Sequence, residues 1–159
     1  MTSVVSNAGP LISLARIGQL DLLPKLYGEI IVPSAVYAEV TVTSYPGAEH
    51  LRSAEWLSVD EIEDTSAVQR LLFWLDLGES EAIVLAQRLE ATVLMDERRG
   101  RAIAQAMELQ VTGTVGVLLA AKTHGHILAV TPWLDALSIA GVRISARLYD
   151  DVRLLAGED

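Results

Sequence analysis

Short apolar runs alternate along this chain with longer stretches of helical period. "SVVS" (3–6), "EIIV" (29–32), "TVLM" (92–95) and "LQVTG" (109–113) are each expected as a strand. "GPLISLARIGQL" (9–20) predicts a helix with Pro10 in its first turn and Leu11, Leu14 and Ala15 on one face, and "DLLPKLY" (21–27) predicts another. Pro33 opens a helix running to about Val42, with Val36 and Val40 on its buried stripe. "TSYPGAEH" (43–50) has the turn chemistry of a surface loop, and "WLSVDEI" (56–62) reads as a short strand or an extended connection. Helices are expected at 66–76 and 79–90, separated by Gly78, then at 98–108 and 114–125, the last closing at Gly125. The tail from Thr131 predicts two more helices turning at Gly141, with Ser145 as an N-cap.

Strands alternating with helices of this length predict an α/β fold. The expected sheet is parallel, of about four to five strands, with helices on both faces and a C-terminal helical hairpin. No repeat, low-complexity segment or linker interrupts the pattern, so residues 1–159 are expected to form a single domain.

Composition changes this picture in two ways. Hydrophobic residues make up 51% of the chain, which predicts a large core and excludes disorder. The apolar runs fall well short of the roughly 20 residues needed to cross a bilayer, and residues 1–6 lack a signal-peptide pattern. A cytoplasmic protein without membrane contact is expected. The absence of cysteine removes disulfides and thiolate chemistry. The net charge of −9 repels nucleic acid unless cations or a local basic patch intervene. That argues against a simple DNA-binding module but not against an enzyme that reaches a phosphodiester through a metal, because sites for hard cations are built from carboxylates.

In an open parallel sheet, ligands bind outside the carboxyl ends of the strands. Asn7 follows strand 3–6, Asp96 and Glu97 follow strand 92–95, and Thr114 follows strand 109–113. The helix beginning near Gly78 runs back antiparallel to strand 92–95, so Glu79 and Glu81 start on the same edge. Glu39 lies roughly 9 Å down the helix that Pro33 opens. Five acids and Asn7 therefore converge, provided that strands 3–6 and 92–95 are neighbours. Oxygen-only ligands suit Mg²⁺ or Mn²⁺ acting on phosphate, with a metal-activated water as nucleophile.

The segments "VVSNAGPLISLARIGQLDLL", "IIVPSAVYAEV", "LGESEAIVLAQ", "VLMDERRGRAIA" and "VTGTVGVLLAAKTHG" occur in the order found in PIN-domain proteins. The chain resembles that superfamily, which includes VapC-type toxin ribonucleases, and most closely a PIN-like branch that also carries the "GVRIS" tail. The resemblance implies a metal-dependent endoribonuclease using Mg²⁺ or Mn²⁺, with RNA as substrate, an antitoxin as partner and a toxin–antitoxin setting. By motif it places the metal site and catalysis at Asn7, Glu39, Glu81 and Asp96, with Glu97 as a neighbouring ligand and Thr114 as a polar lining. The sequence departs from the nuclease pattern at Asn7, where most active members carry Asp. One charge missing about 4 Å from a divalent ion is worth up to roughly 8 kcal/mol before desolvation offsets most of it. A catalytically lapsed binding or scaffold protein is therefore the alternative.

Each of these residues also has a structural reading. Asn7 and Asp96 fit as helix N-caps, Glu79 and Glu81 gain from the helix dipole, and Glu39 borders a buried face. Periodicity does not choose between Glu79 and Glu81; only the motif selects Glu81. Arg98, Arg99 and Arg101 stand at a helix start, where the dipole disfavours cations, which points to a phosphate or acidic partner or to a solvated face. "HGH" (124–126) fits ordinary helix capping better than metal binding. Trp56, Trp74 and Trp133 fit core or interface positions. A receiver-like domain with Asp96 as nucleophile would need a Lys or Thr on a neighbouring strand end, and Lys122 lies well into a helix. The apolar composition predicts a homodimer.

Overall fold

The computed structural model describes residues 2–159. Its centre is a strand whose three residues, Val4–Ser6 (β1), are all buried. Such a run lacks the polar alternation of a half-exposed strand and needs cover on both faces. β1 pairs in parallel with Ile30–Pro33 (β2) and with Thr92–Leu94 (β4). Leu57–Asp60 (β3) and Val111–Thr112 (β5) complete a parallel sheet of order β3-β2-β1-β4-β5. The register Val5↔Val93 and Ser6↔Leu94 makes β1 and β4 direct neighbours, as convergence at the strand ends requires.

The two-residue period then sorts side chains onto two cores. Val4 and Leu94 join one face, covered by Ala8–Arg16 (α1), Leu22–Tyr27 (α2) and Ser34–Val40 (α3). Thr114–Thr123 (α8), Thr131–Ile139 (α9) and Ala146–Leu155 (α10) pack on the same face through Leu118, Leu134 and Val152. Val5, Val93 and Met95 join the other face, against Ile83 and Ala86 of Leu77–Leu89 (α6) and Ala104 of Arg98–Ala106 (α7). The sheet is thus covered on both sides and the C-terminal helices are present, in agreement with the predicted class.

Four stretches differ from the sequence expectation. Within 43–50, where a loop is expected, Gly47 takes φ 77° and opens Ala48–Ser53 (α4). A Cβ on Gly47 would lie 2.7 Å from that of Ala15, so the turn demands glycine for space as well as for its left-handed backbone. Thr65–Leu71 (α5) ends before the expected 76, and α6 begins at Leu77. Gly78 is therefore inside the first turn of α6, not between two helices. The start is set by Asp76, which accepts from the Glu79 amide while the Glu79 carboxylate accepts from the Asp76 amide, a capping box. Lastly, the helix expected to reach 20 ends at Arg16, and β5 is shorter than its sequence run, whereas 56–62 supplies the short strand expected there, β3, at the sheet edge.

The tail follows expectation: Gly141 turns the chain with φ 92°, and Ser145 Oγ accepts from the Leu148 amide at 3.1 Å. Among the described residues no helix is long and apolar enough to cross a membrane.

Candidate metal centre

Asn7 stands at the carboxyl end of β1. Its backbone amide donates to Leu94 O at 2.9 Å, which fixes its place beside β4. It occupies the N-cap position of α1 with extended backbone, yet its side chain makes no capping bond. The residue is 9% exposed, and among the described residues its side-chain amide has no hydrogen-bond partner but keeps an edge open to solvent. The capping explanation for Asn7 therefore fails on geometry, because the group is aimed elsewhere. Its Oδ1 would lie 3.6 Å from a Cβ built on Gly78, with Asp76 Oδ1 3.7 Å from the same point.

Asp96 follows β4 but does not cap α7; Glu97 does, accepting from the Gly100 amide at 2.8 Å. Asp96 reaches across to the start of α8 instead. Its Oδ1 accepts from the Thr114 amide at 2.7 Å and its Oδ2 from Thr114 Oγ1 at 2.6 Å. Gly113 makes the approach possible, since a Cβ there would lie 2.7 Å from Asp96 Oδ1 and 2.9 Å from Arg101 Nη1. Arg101 itself donates to Met95 O at 2.9 Å.

A second group of acids gathers around the start of α6. Glu79 is 8% exposed, and its Oε1 accepts from the Asp76 amide at 3.0 Å. Burial raises its carboxyl above the ordinary range, and the charges of Asp76 and Glu97 push the same way. Burial likewise raises Glu39, reinforced by the charge of Asp76. Glu97 moves the other way, lowered chiefly by the Gly100 amide. Among the described residues none of Glu39, Asp76, Glu79, Asp96 and Glu97 has an ion-pair partner.

Glu81 is engaged with the start of α3. Its Oε1 accepts from the Ala35 amide at 3.1 Å, and it lines a cavity with Ser34, Ile62 and Leu77. Arg98 and Arg99 are exposed and Arg101 is half-buried, all on the first turn of α7 above Asp96. His124 Nδ1 meets Ala120 O at 2.9 Å at the end of α8, an ordinary helix-end contact. Lys122 is bound to Glu158, remote from Asp96, so the receiver-like reading has no lysine.

No three acidic or histidine side chains among the described residues are gathered closely enough to enclose an ion. The arrangement is thus not an all-protein cage. It fits Mg²⁺ or Mn²⁺ in their usual manner, through one or two carboxylates with water completing the shell. The unpartnered Asn7 amide and the acids without cations are what such an ion would satisfy.

Sequence reasoning passed over Asp76. Its signal is the D-x-x-E spacing of a capping box, Asp76 to Glu79, masked because Gly78 between them reads as a helix boundary. A family model described as PIN domain matches residues 3–158. No curated protein is a match to the chain.

Proposed function

The chain belongs to the PIN-domain family, and from that premise we propose that it is a Mg²⁺- or Mn²⁺-dependent endoribonuclease acting on single-stranded RNA. PIN domains are in general metal-dependent nucleases. The observation that carries the reading here is the strand-end pairing of acids without cations and a buried, unpartnered amide. A bound ion would supply a polarised water and neutralise charge on the phosphate.

In this reading Asp96 contacts the ion directly or through water, with Thr114 fixing the carboxylate by two hydrogen bonds. Glu39 orients the attacking water and Asn7 positions the ion or the scissile phosphate. Glu97 neighbours the ion while it caps α7. Glu81 holds the first turn of α3, the helix that carries Glu39. Arg98, Arg99 and Arg101 offer charge to the phosphates that an otherwise acidic surface would repel. A toxin role with an antitoxin partner and a homodimer belong to the same proposal. What supports a partner contact of either kind is Phe73 and Trp74, 85% and 63% exposed beside Leu72 and Leu77, an apolar patch of the kind that partners cover.

The test is cleavage of single-stranded RNA with and without Mg²⁺. Cleavage must require the ion and disappear in Asp96→Asn with the circular dichroism spectrum unchanged; equal cleavage by that variant rules the assignment out. A second reading, a PIN-fold binding protein without catalysis, is favoured by the missing charge at Asn7. It predicts no Mn²⁺ binding in the native protein and binding gained by Asn7→Asp.

A further inference from the structure

Asn7 poses a question that the family resemblance leaves open: what replaces the charge an aspartate would bring. The space beside the Gly78 α-carbon contains both the Asn7 Oδ1 and the Asp76 Oδ1, 3.6 Å and 3.7 Å from the point where a Cβ would sit. The Val36 Cγ2 methyl lies 3.4 Å from the same point, so an added Cβ would meet all three atoms at ordinary contact distance. We propose that Asp76 supplies the negative charge that Asn7 lacks, so that a divalent cation is held between the Asp76 carboxylate and the Asn7 amide oxygen beside Gly78. The inference rests on the metal-dependent reading above.

Three independent features support it. Asn7 is 9% exposed and no side chain or backbone group among the described residues bonds to its amide, so the edge it keeps open to solvent is free to meet a group outside the chain. Asp76 is exposed, so solvent ions reach it, and among the described residues no cation pairs with it. Finally, the capping box locks Asp76 in place: its Oδ1 accepts from the Glu79 amide at 2.8 Å, and α6 cannot begin elsewhere without losing both bonds. The charge is therefore held by the helix start and not by a flexible loop. The role differs from the one the motif assigns to Glu81, whose carboxylate is engaged with Ala35.

Calorimetric titration with Mn²⁺ alone tests the proposal on the native protein, Asp76→Asn, and the double variant Asn7→Asp/Asp76→Asn. Asparagine caps helices as well as aspartate, so Asp76→Asn removes the charge and keeps the start of α6, which circular dichroism verifies. Asp76→Ser, also a good cap, gives the same readout should the asparagine form be unstable. The expected result is Mn²⁺ binding by the native protein, weakened about tenfold or more in Asp76→Asn. The double variant regains binding, because the charge has moved across Gly78. Binding by Asp76→Asn and Asp76→Ser within about twofold of native overturns the assignment of Asp76 while the metal-dependent reading stands. A double variant no tighter than Asp76→Asn overturns it as well. No Mn²⁺ binding by the native protein overturns both.

Discussion

Glu158 and Glu79 are glutamates in two differently equipped regions. Near the C-terminus, Glu158 accepts from Lys122 Nζ at 2.7 Å, from the Val130 and Thr131 amides at 2.8 and 3.0 Å, and from Thr131 Oγ1 at 2.7 Å. Burial alone would raise its carboxyl, yet the lysine and these donors hold it at about 2. It ties the end of the chain to the start of α9. At the strand ends, Glu79 accepts from the Asp76 amide and otherwise faces like charge, so burial wins and its carboxyl is raised. Glu39 is raised for the same reason. Where this chain uses a carboxylate to hold itself together, it supplies the donors. Around the start of α6 it buries Glu79 and Glu39 beside like charge and gives neither a cation.

Substitutions can break or sharpen this contrast. The largest effect is expected on activity: Asp96→Asn should lower metal-dependent RNA cleavage by about 100-fold or more while leaving the melting temperature nearly unchanged. Glu158→Gln should do the opposite. Losing the ion pair and a charged cap should cost roughly 1–3 kcal/mol, a fall of about 3–10 °C in Tm, with cleavage at permissive temperature intact. The sign with pH follows: the contribution of Glu158 is complete above 4.5, its ordinary value, and is lost as pH falls to about 2. Glu158→Gln melts should lack that acid-side loss.

Glu79 behaves in reverse. A raised carboxyl means that the folded state is penalised once the group ionises, so stability falls as pH climbs from the ordinary value through the raised one. Glu79→Gln keeps the oxygen that the Asp76 amide needs and removes the charge. Without metal at neutral pH it should stabilise the protein by about 0.5–1 kcal/mol in denaturant melts. The smallest effect belongs to Asn7→Ala. Removing a working N-cap typically costs about 0.5–2 kcal/mol, but Asn7 makes no capping bond. Its loss should stay below about 0.5 kcal/mol, and a larger loss would return Asn7 to a structural role.

β1, β2 and β4 were legible because strands buried on both faces are written as unbroken apolar runs, and their order along the chain announced a parallel sheet. α4 was not, since Tyr45, Pro46 and Gly47 dominate the local signal while the burial of Ala48 and Leu51 is decided by distant elements. The strand-end position of Asn7 and Asp96 could be read directly. The division of labour between Glu79 and Glu81 could not, because both flank the same apolar stripe. Only packing turns Glu79 toward Asp76 and Glu97, and Glu81 toward Ala35. Asp76 escaped notice because its partner lies three residues ahead, across a glycine that looks like a break.

The central claim is that the strand-end acids are completed by a cation while the C-terminal acid is already complete. Thermal melts of the native protein over a Mn²⁺ series up to about 10 mM test it most directly. The account predicts a saturable rise in Tm of several degrees, retained in Glu158→Gln and lost in Asp96→Asn. A Tm that stays flat or falls across the series would contradict it.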